Sequence, residues 1–414
     1  MIRIEAPQES IRGDVVLPGS KSISNRLLVL NHLIPSPLNL QHLSASEDTL
    51  LLQSALKKIK SGNTAHIDVN HAGTDLRFLT ALLAVTPGQW TITGSDRLKQ
   101  RPIVSLLDSL RALGADIHCF EKKDHLPLRI NGKNIPGGHV SVDTSLSSQF
   151  ASALLLIAPA LQNGIELFLR GEVASRPYID MTISLLKLFN VDVSTTGNSI
   201  IAKKSTGLSL KKTIYIEGDW SSASYWFSVC ALAPDSEITL KPLFRLSDQA
   251  DSVLPLLYQQ LCVSSEWKND ELILKNVNTK VNAFTYDFSR CPDIAQTVAV
   301  TCFALGIEAR LTGLKTLRLK ETDRITALEN ELTKFGAKIE RGADYICISA
   351  GAKDAMVSAP LVETYNDHRM AMSFAPLALK YKTVQINDPD VVVKSYPSFW
   401  SDLQSLGFNV ILPA

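Results

Sequence analysis

The chain has 414 residues, more than one core usually serves, so two domains are expected, with three as the other option. With 45% hydrophobic and 20% charged residues it has the composition of a soluble globular protein able to bury a large core. A formal net charge of +1 excludes a global field that would draw nucleic acid or an acidic membrane, so any anion site must come from local clustering of bases.

The N-terminus, MIRIEAPQES, carries Arg3, Glu5 and Glu9 where a secretory signal needs an apolar run. LPGSKSISNR follows at residues 17–26: a Pro-Gly turn, then a predicted helix, SISNRLLVLNHL. The free N–H groups and positive dipole end of such a helix favour an anion, and Lys21 and Arg26 add full charges. Spacing argues against a nucleotide triphosphate loop, which needs Gly directly before Lys; here Ser20 separates Gly19 from Lys21. A capped surface helix with two solvated bases accounts equally well for this stretch alone.

HAGTDLRFLTALLA, residues 71–84, places an Ala-Gly-Thr turn before a helix, where a ligand can approach the backbone closely; Thr74 or Asp75 as an ordinary cap is the alternative. DRLKQRPI crowds Arg97, Lys99 and Arg101 ahead of Pro102. In SLSSQFASALLLIAPAL, Ser147, Ser148 and Gln149 offer hydroxyl and amide donors at a helix start, although a Ser pair there also serves as a cap. The apolar run that follows spans 11 residues, too short to cross a bilayer. Ser175, Arg176 and Tyr178 in SRPYID repeat the pattern.

Past a polar stretch near mid-chain, LKKTIYIEGDWSSAS, which is the candidate crossover between domains, come CPDIAQ, RLKETDRI and YNDHRMAM. Lys320, Glu321, Asp323 and Arg324 read equally as a solvated helix face with i,i+4 pairs. Asp367, His368 and Arg369 stand where a helix opens ahead of an apolar run, and a titratable His beside Arg suggests a site, though a His capping network would look similar. Six scattered cysteines form no CxxC pair and no His cluster has metal spacing, so they are expected to fill cores in a reducing cytoplasm.

One phrase recurs: amphipathic helix, small or turn-forming residue, short strand. It occurs in LLDSLRALGADIHC, ISLLKLFNVDVST, LENELTKFGAKIER and FWSDLQSLGFNVIL, breaking near Gly114, Asn190, Gly336 and Gly407, with weaker copies near Cys262 and Lys58. The breaks from 114 onward lie about 70 to 75 residues apart, too long for a usual solenoid. Two pseudo-symmetric halves of three units each are expected, of α/β or α+β class, with strand order left open. Lys21, Arg26, Arg77, Arg101, Lys320, Arg324, Arg369 and Lys394 stand at turns and helix starts in both halves. Converging on an interdomain cleft, they would suit two small, highly anionic substrates.

In this order LPGSKSISNR, AGT, RPI, SSQF, SRPYID, EGDWSSASY, PDIA, RLKETDRI, YNDHRMAM and KSYPSFW resemble the 5-enolpyruvylshikimate-3-phosphate synthase family, from about residue 10 to the C-terminus. The resemblance implies two domains, each of three βαβαββ units, divided as residues 20–216 against 1–19 with 217–414, and the active site in the cleft between them. It implies transfer of the enolpyruvyl group of phosphoenolpyruvate to the 5-hydroxyl of shikimate 3-phosphate, releasing phosphate, with no metal or organic cofactor. Its partners would be these small molecules alone, with neither nucleic acid nor membrane, for a cytoplasmic monomer.

By motif, Lys21, Ser22, Arg26, Ser147, Ser148, Gln149, Ser175, Asp293, Thr316 and Lys320 would hold shikimate 3-phosphate. Lys21, Gly73, Arg101, Gln149, Arg324, Arg369 and Lys394 would surround phosphoenolpyruvate. Asp293 would accept the hydroxyl proton, Glu321 would protonate the methylene carbon near Lys21, and His368 would support Glu321 by hydrogen bonding. His71, Phe78 and Thr316 depart from the family's usual Asn, Pro and Asn; Asp75 adds a negative charge that should weaken an anion site unless it caps the helix or meets a base. Gly73, rather than Ala, implies sensitivity to the phosphonate glyphosate. The nearest alternative, UDP-N-acetylglucosamine enolpyruvyl transferase, has Lys-Asn at Lys21-Ser22 and usually a Cys before the Arg-Pro matching Arg101-Pro102, which GSDRLKQRPI lacks. A non-catalytic sugar-phosphate sensor on the same fold is the other, with Lys21, Asp293 and Glu321 arguing against it.

Overall fold

A computed structural model describes residues 1–34, 37–120, 124–205, 212–279, 281–349 and 360–412. Two compact units emerge, one discontinuous (Met1–Ser20 with Glu217–Ala414) and one continuous (Lys21–Ile216). Ser20 falls with the discontinuous unit, not with 21–216. Its N–H donates to the Glu217 carbonyl at 2.8 Å and its hydroxyl to Gln249 Oε1 at 2.9 Å. Of the polar mid-chain stretch, Leu210 and Lys211 lie outside the described residues.

Within each unit the same sheet is built repeatedly. In the continuous unit Thr64–Asp68 runs parallel to Gly88–Thr93, which pairs antiparallel with Leu128–Gly132, and Asp116–Cys119 forms the far edge. A parallel pair needs a crossover, and helix Gly73–Val85 supplies it. The order first–second–fourth–third recurs in Gly138–Asp143, Ile165–Arg170, Ser199–Ala202 and Val193–Thr196. The discontinuous unit repeats it in the sheets opening on Arg12–Val16 and Ala283–Asp287; in its third sheet, Leu361–Val362, Thr383–Ile386, Ile2–Glu5 and Asn409–Ile411, the N-terminal strand takes the place of the fourth. The remaining sheet has two strands among the described residues, Asn39–Gln41 and Thr213–Tyr215.

The left-handed breaks follow the repeat. Gly114, Asn190, Cys262, Gly336 and Gly407 have φ of 98°, 54°, 66°, 88° and 92°. Each turns a helix back into an antiparallel strand of its own sheet. The weak copy near Lys58 differs: helix Glu47–Ser61 ends at Gly62 with φ −168°, because the chain runs straight on into Thr64–Asp68, the first strand of the next sheet.

The first helix of each repeat is buried over much of its length against its two counterparts. Lys21–Leu33, Gly73–Val85 and Gln149–Leu156 pack together in the continuous unit, and Trp220–Leu232, Ala295–Leu305 and His368–Phe374 in the other. Separate cores result, around Leu27, Leu79 and Leu154 in one unit and Trp226, Val298 and Met372 in the other. Because every first helix follows a first strand, the trio's N-termini carry the polar residues singled out by sequence.

Candidate active site

In the continuous unit, Lys21 opens its helix and its Nζ stands 2.9 Å from the buried Asp48 carboxylate. One turn on, Arg26 is almost fully buried and uses its guanidinium as a hub. It donates to Thr182 Oγ1 at 2.8 Å, Ser152 Oγ at 3.3 Å, and the carbonyls of Ser22 at 2.9 Å and Tyr178 at 3.2 Å. Burial lowers its pKa to about 10, which leaves it protonated at neutral pH. The ring of Phe78 lies 5.2 Å beneath its Cζ, and that of Tyr178 5.8 Å away. Phe78 therefore serves as a floor for Arg26.

Gly73 opens the next helix beneath two guanidinium groups. A Cβ at this position would stand 2.4 Å from Arg101 Nη1 and 2.7 Å from Arg77 Nη1. Arg77 is anchored by donating to the carbonyls of Gly73 at 2.7 Å and Pro102 at 2.9 Å. Gln149 donates through Nε2 to Thr74 Oγ1 at 3.0 Å and through its backbone N–H to Ser147 Oγ at 3.2 Å. Ser148 is the buried residue before that helix, and Ser175 is buried at a positive φ of 52°. Arg176 and Lys99 are drawn to neighbouring carboxylates, Asp180 at 2.8 Å and Asp96 at 3.1 Å. Asp75 is fully buried and accepts from the Asn25 amide at 2.8 Å, while Asn25 accepts from Thr49. His71 shares a 2.7 Å hydrogen bond with Ser95.

The discontinuous unit gathers charges more densely. Arg324, at the first position of helix Arg324–Lys334 and buried, reaches three carboxylates: Asp367 at 2.7 Å, Glu321 at 2.9 Å and Asp293 at 3.2 Å. Despite the cost of burial, these neighbours hold its pKa above the ordinary arginine value. Asp293 also stands 3.3 Å from Lys320 Nζ and 3.6 Å from Arg369 Nη2, and Glu321 stands 3.2 Å from Lys394 Nζ. Seven of the residues picked out by sequence, from positions 293 to 394, thus form one continuous network of contacts. Two stand apart from its closest contacts. Thr316 lies in the short turn Lys315–Leu319, its buried Oγ1 without a hydrogen-bond partner among the described residues. His368 is buried at the start of its helix, its Nδ1 3.9 Å from Asp367.

Chemically, the network offers two carboxylates of distinct surroundings: Asp293 amid three bases, Glu321 between a guanidinium and an ammonium. Such pairs suit proton transfer at two points of one reaction, and the bases suit multiply charged anions. Sequence reasoning did not single out Asp48, Ser221 or Asp251, nor Asp367 as the main anchor of Arg324. Their partners lie 27, 148, 30 and 43 residues away, a separation that leaves no local motif.

A family model described as EPSP synthase (3-phosphoshikimate 1-carboxyvinyltransferase) matches residues 5–403. A 3-phosphoshikimate 1-carboxyvinyltransferase from Bacteroides fragilis is 43% identical over 408 residues, covering 98% of each chain. One from Shewanella piezotolerans is 35% identical, covering 98% of this chain and 99% of its own. The solved EPSP synthase of Acinetobacter baumannii superposes with a TM-score of 0.79 at 20% identity, covering all of both chains. The enolpyruvyl transferase NikO of Streptomyces tendae gives 0.77 at 12%, covering 100% of this chain and 99% of that one. At such identities the structural likeness speaks to fold, and the fold is that of the enolpyruvyl transferases.

Proposed function

The chain belongs to the EPSP synthase (3-phosphoshikimate 1-carboxyvinyltransferase) family, and from that premise we propose how its residues divide the enolpyruvyl transfer step of the shikimate pathway among them. The step joins the enolpyruvyl group of phosphoenolpyruvate to the 5-hydroxyl of shikimate 3-phosphate and releases phosphate. Ser22, Arg26, Ser147, Ser148, Gln149, Ser175, Thr316 and Lys320 hold shikimate 3-phosphate. Lys21, Gly73, Arg101, Arg324, Arg369 and Lys394 receive phosphoenolpyruvate, with Gln149 and Lys21 shared between the two. Both units serve one pair of substrates, in a cytoplasmic monomer.

Asp293 takes the hydroxyl proton as the oxygen attacks. Three bases, Lys320, Arg324 and Arg369, stand within 3.6 Å of its carboxylate. Glu321 gives a proton to the methylene carbon, which makes the neighbouring carbon electrophilic. The bases that contact Glu321, Arg324 and Lys394, are those assigned to phosphoenolpyruvate. His368 supports Glu321. The tetrahedral adduct then returns the methyl proton and expels phosphate, whose charge the bases steady.

The observation that carries this reading is the bridge from Asp293 to Glu321 through one buried arginine, with lysines at both ends. Inorganic phosphate release is the test. Release that requires both phosphoenolpyruvate and shikimate 3-phosphate is expected. Release only with UDP-N-acetylglucosamine, or binding of both substrates without turnover, would overturn it.

A further inference from the structure

Asp251 is a buried acid that the reaction scheme leaves unused. It is 3% exposed, in the turn Ala250–Val253 ahead of helix Leu254–Gln259. The Ser221 hydroxyl donates to Asp251 Oδ2. Arg369 Nη2 in turn donates to Ser221 Oγ at 3.3 Å, and the same nitrogen stands 3.6 Å from Asp293 Oδ2. Four elements distant in sequence therefore form one chain: acid, hydroxyl, guanidinium, and the carboxylate assigned as base.

A hydroxyl has one proton and two lone pairs. With its proton committed to Asp251, Ser221 presents only lone pairs to Arg369. Arg369 then has a fixed acceptor on one side and Asp293 on the other, which restrains the guanidinium against turning. Keeping an acid here is costly: burial first, then the nearby Asp293 charge, push its carboxyl up to about 7, although Arg369 and the Ser221 bond pull the other way. A neutral or apolar group would sit in this place with less strain.

We propose that Asp251 is a positioning residue for phosphoenolpyruvate binding, acting through Ser221 to hold the guanidinium of Arg369 in the orientation that receives the anion. The inference rests on the reading that Arg369 contacts phosphoenolpyruvate. Neither Asp251 nor Ser221 touches substrate in this scheme.

The test is steady-state kinetics on the full chain, with both substrates varied and melting temperature recorded for each variant. Asp251→Ala and Ser221→Ala should each raise KM for phosphoenolpyruvate about tenfold, the scale of one charge-assisted hydrogen bond. KM for shikimate 3-phosphate should stay within about twofold, since the lost bond lies on the other substrate's guanidinium. The double variant should be no worse than the poorer single one, because both break the same link. Asp251→Asn, whose amide oxygen still accepts from Ser221, should restore most of the loss. Unchanged KM for phosphoenolpyruvate, effects that multiply, or equal rises in both KM values with lowered melting temperature would overturn the proposal. Ser221→Ala breaks the link without touching the buried acid, so the test survives an Asp251→Ala chain that fails to fold. Arg369→Ala separates the two levels. If it leaves KM for phosphoenolpyruvate unchanged, the assignment of Arg369 fails; if it raises that KM while Asp251→Ala does not, the positioning role alone fails.

Discussion

Arg26 keeps its charge in a buried setting made of neutral acceptors: two hydroxyls, two carbonyls and two aromatic faces. No carboxylate lies within ion-pair distance of it among the described residues, so its field is open to an incoming anion. Lysine cannot reproduce the planar fork that reaches these acceptors. Arg26→Lys is expected to raise KM for shikimate 3-phosphate tenfold or more, roughly the loss of one charged hydrogen bond; an unchanged KM would refute the assignment. Glu321→Gln and Lys21→Met should each lower kcat by orders of magnitude, about 10² or more for a lost proton donor, while circular dichroism stays native. Near-normal turnover in either would overturn its role. Asp251 adds a pH signature. Folded, it holds its proton up to about pH 7; unfolded, only to near the ordinary aspartate value of 3.8. Between those values the folded state binds the extra proton, so this group's contribution to stability is present at low pH, declines as pH rises through that window and stays lost above it. Asp251→Asn should therefore raise the melting temperature more at pH 8 than at pH 4, with Asp293, Asp219 and Arg369 as the charges facing the group. A gain equal at both would contradict the shift.

At the scale of elements, the helix N-terminus at Gly73 is crowded by two guanidinium groups. An added methyl would meet Arg101 and Arg77 guanidinium atoms, and since these are ends of flexible side chains they would shift aside rather than the helix unfold. Gly73→Ala should accordingly raise KM for phosphoenolpyruvate and weaken inhibition by glyphosate relative to the parent, which glyphosate should inhibit; undiminished parent turnover at high glyphosate would refute the second part. The helix starts and five of the six breaks were legible because each is a local event. Glycine or asparagine follows an apolar stripe of helical period at four of the five, Cys262 taking that place in the weaker copy, and a base stands beside a predicted helix start. What could not be read were the carboxylates that hold those bases. Asp48 meets Lys21 and Asp367 meets Arg324 only once separate repeats have packed. Asp75 shows the same limit: cap or ion-pair partner were the options from sequence, and the fold gives it the Asn25 amide. The missing fourfold sheet of the copy near Lys58 was equally hidden, since its helix looks like the others and only the strand that follows belongs elsewhere.

At the scale of the molecule, the chain enters the continuous unit at Lys21 and leaves it at Ile216, and among the described residues the core of that unit draws on none outside those limits. The isolated segment 21–216 should fold by itself and melt in a single cooperative transition by circular dichroism; a broad, non-cooperative loss of signal would show that its core needs the remainder. The discontinuous unit has no such independence. Ile2–Glu5 lies between Thr383–Ile386 and Asn409–Ile411, with Arg3 opposite both Gln385 and Ile411. During translation this strand must wait, both of its edges bare, until Thr383–Ile386 and Asn409–Ile411 have been made. A nascent chain would thus carry a finished middle behind a strand still unsatisfied, and the arrival of those two distant partners would be the event that closes this sheet.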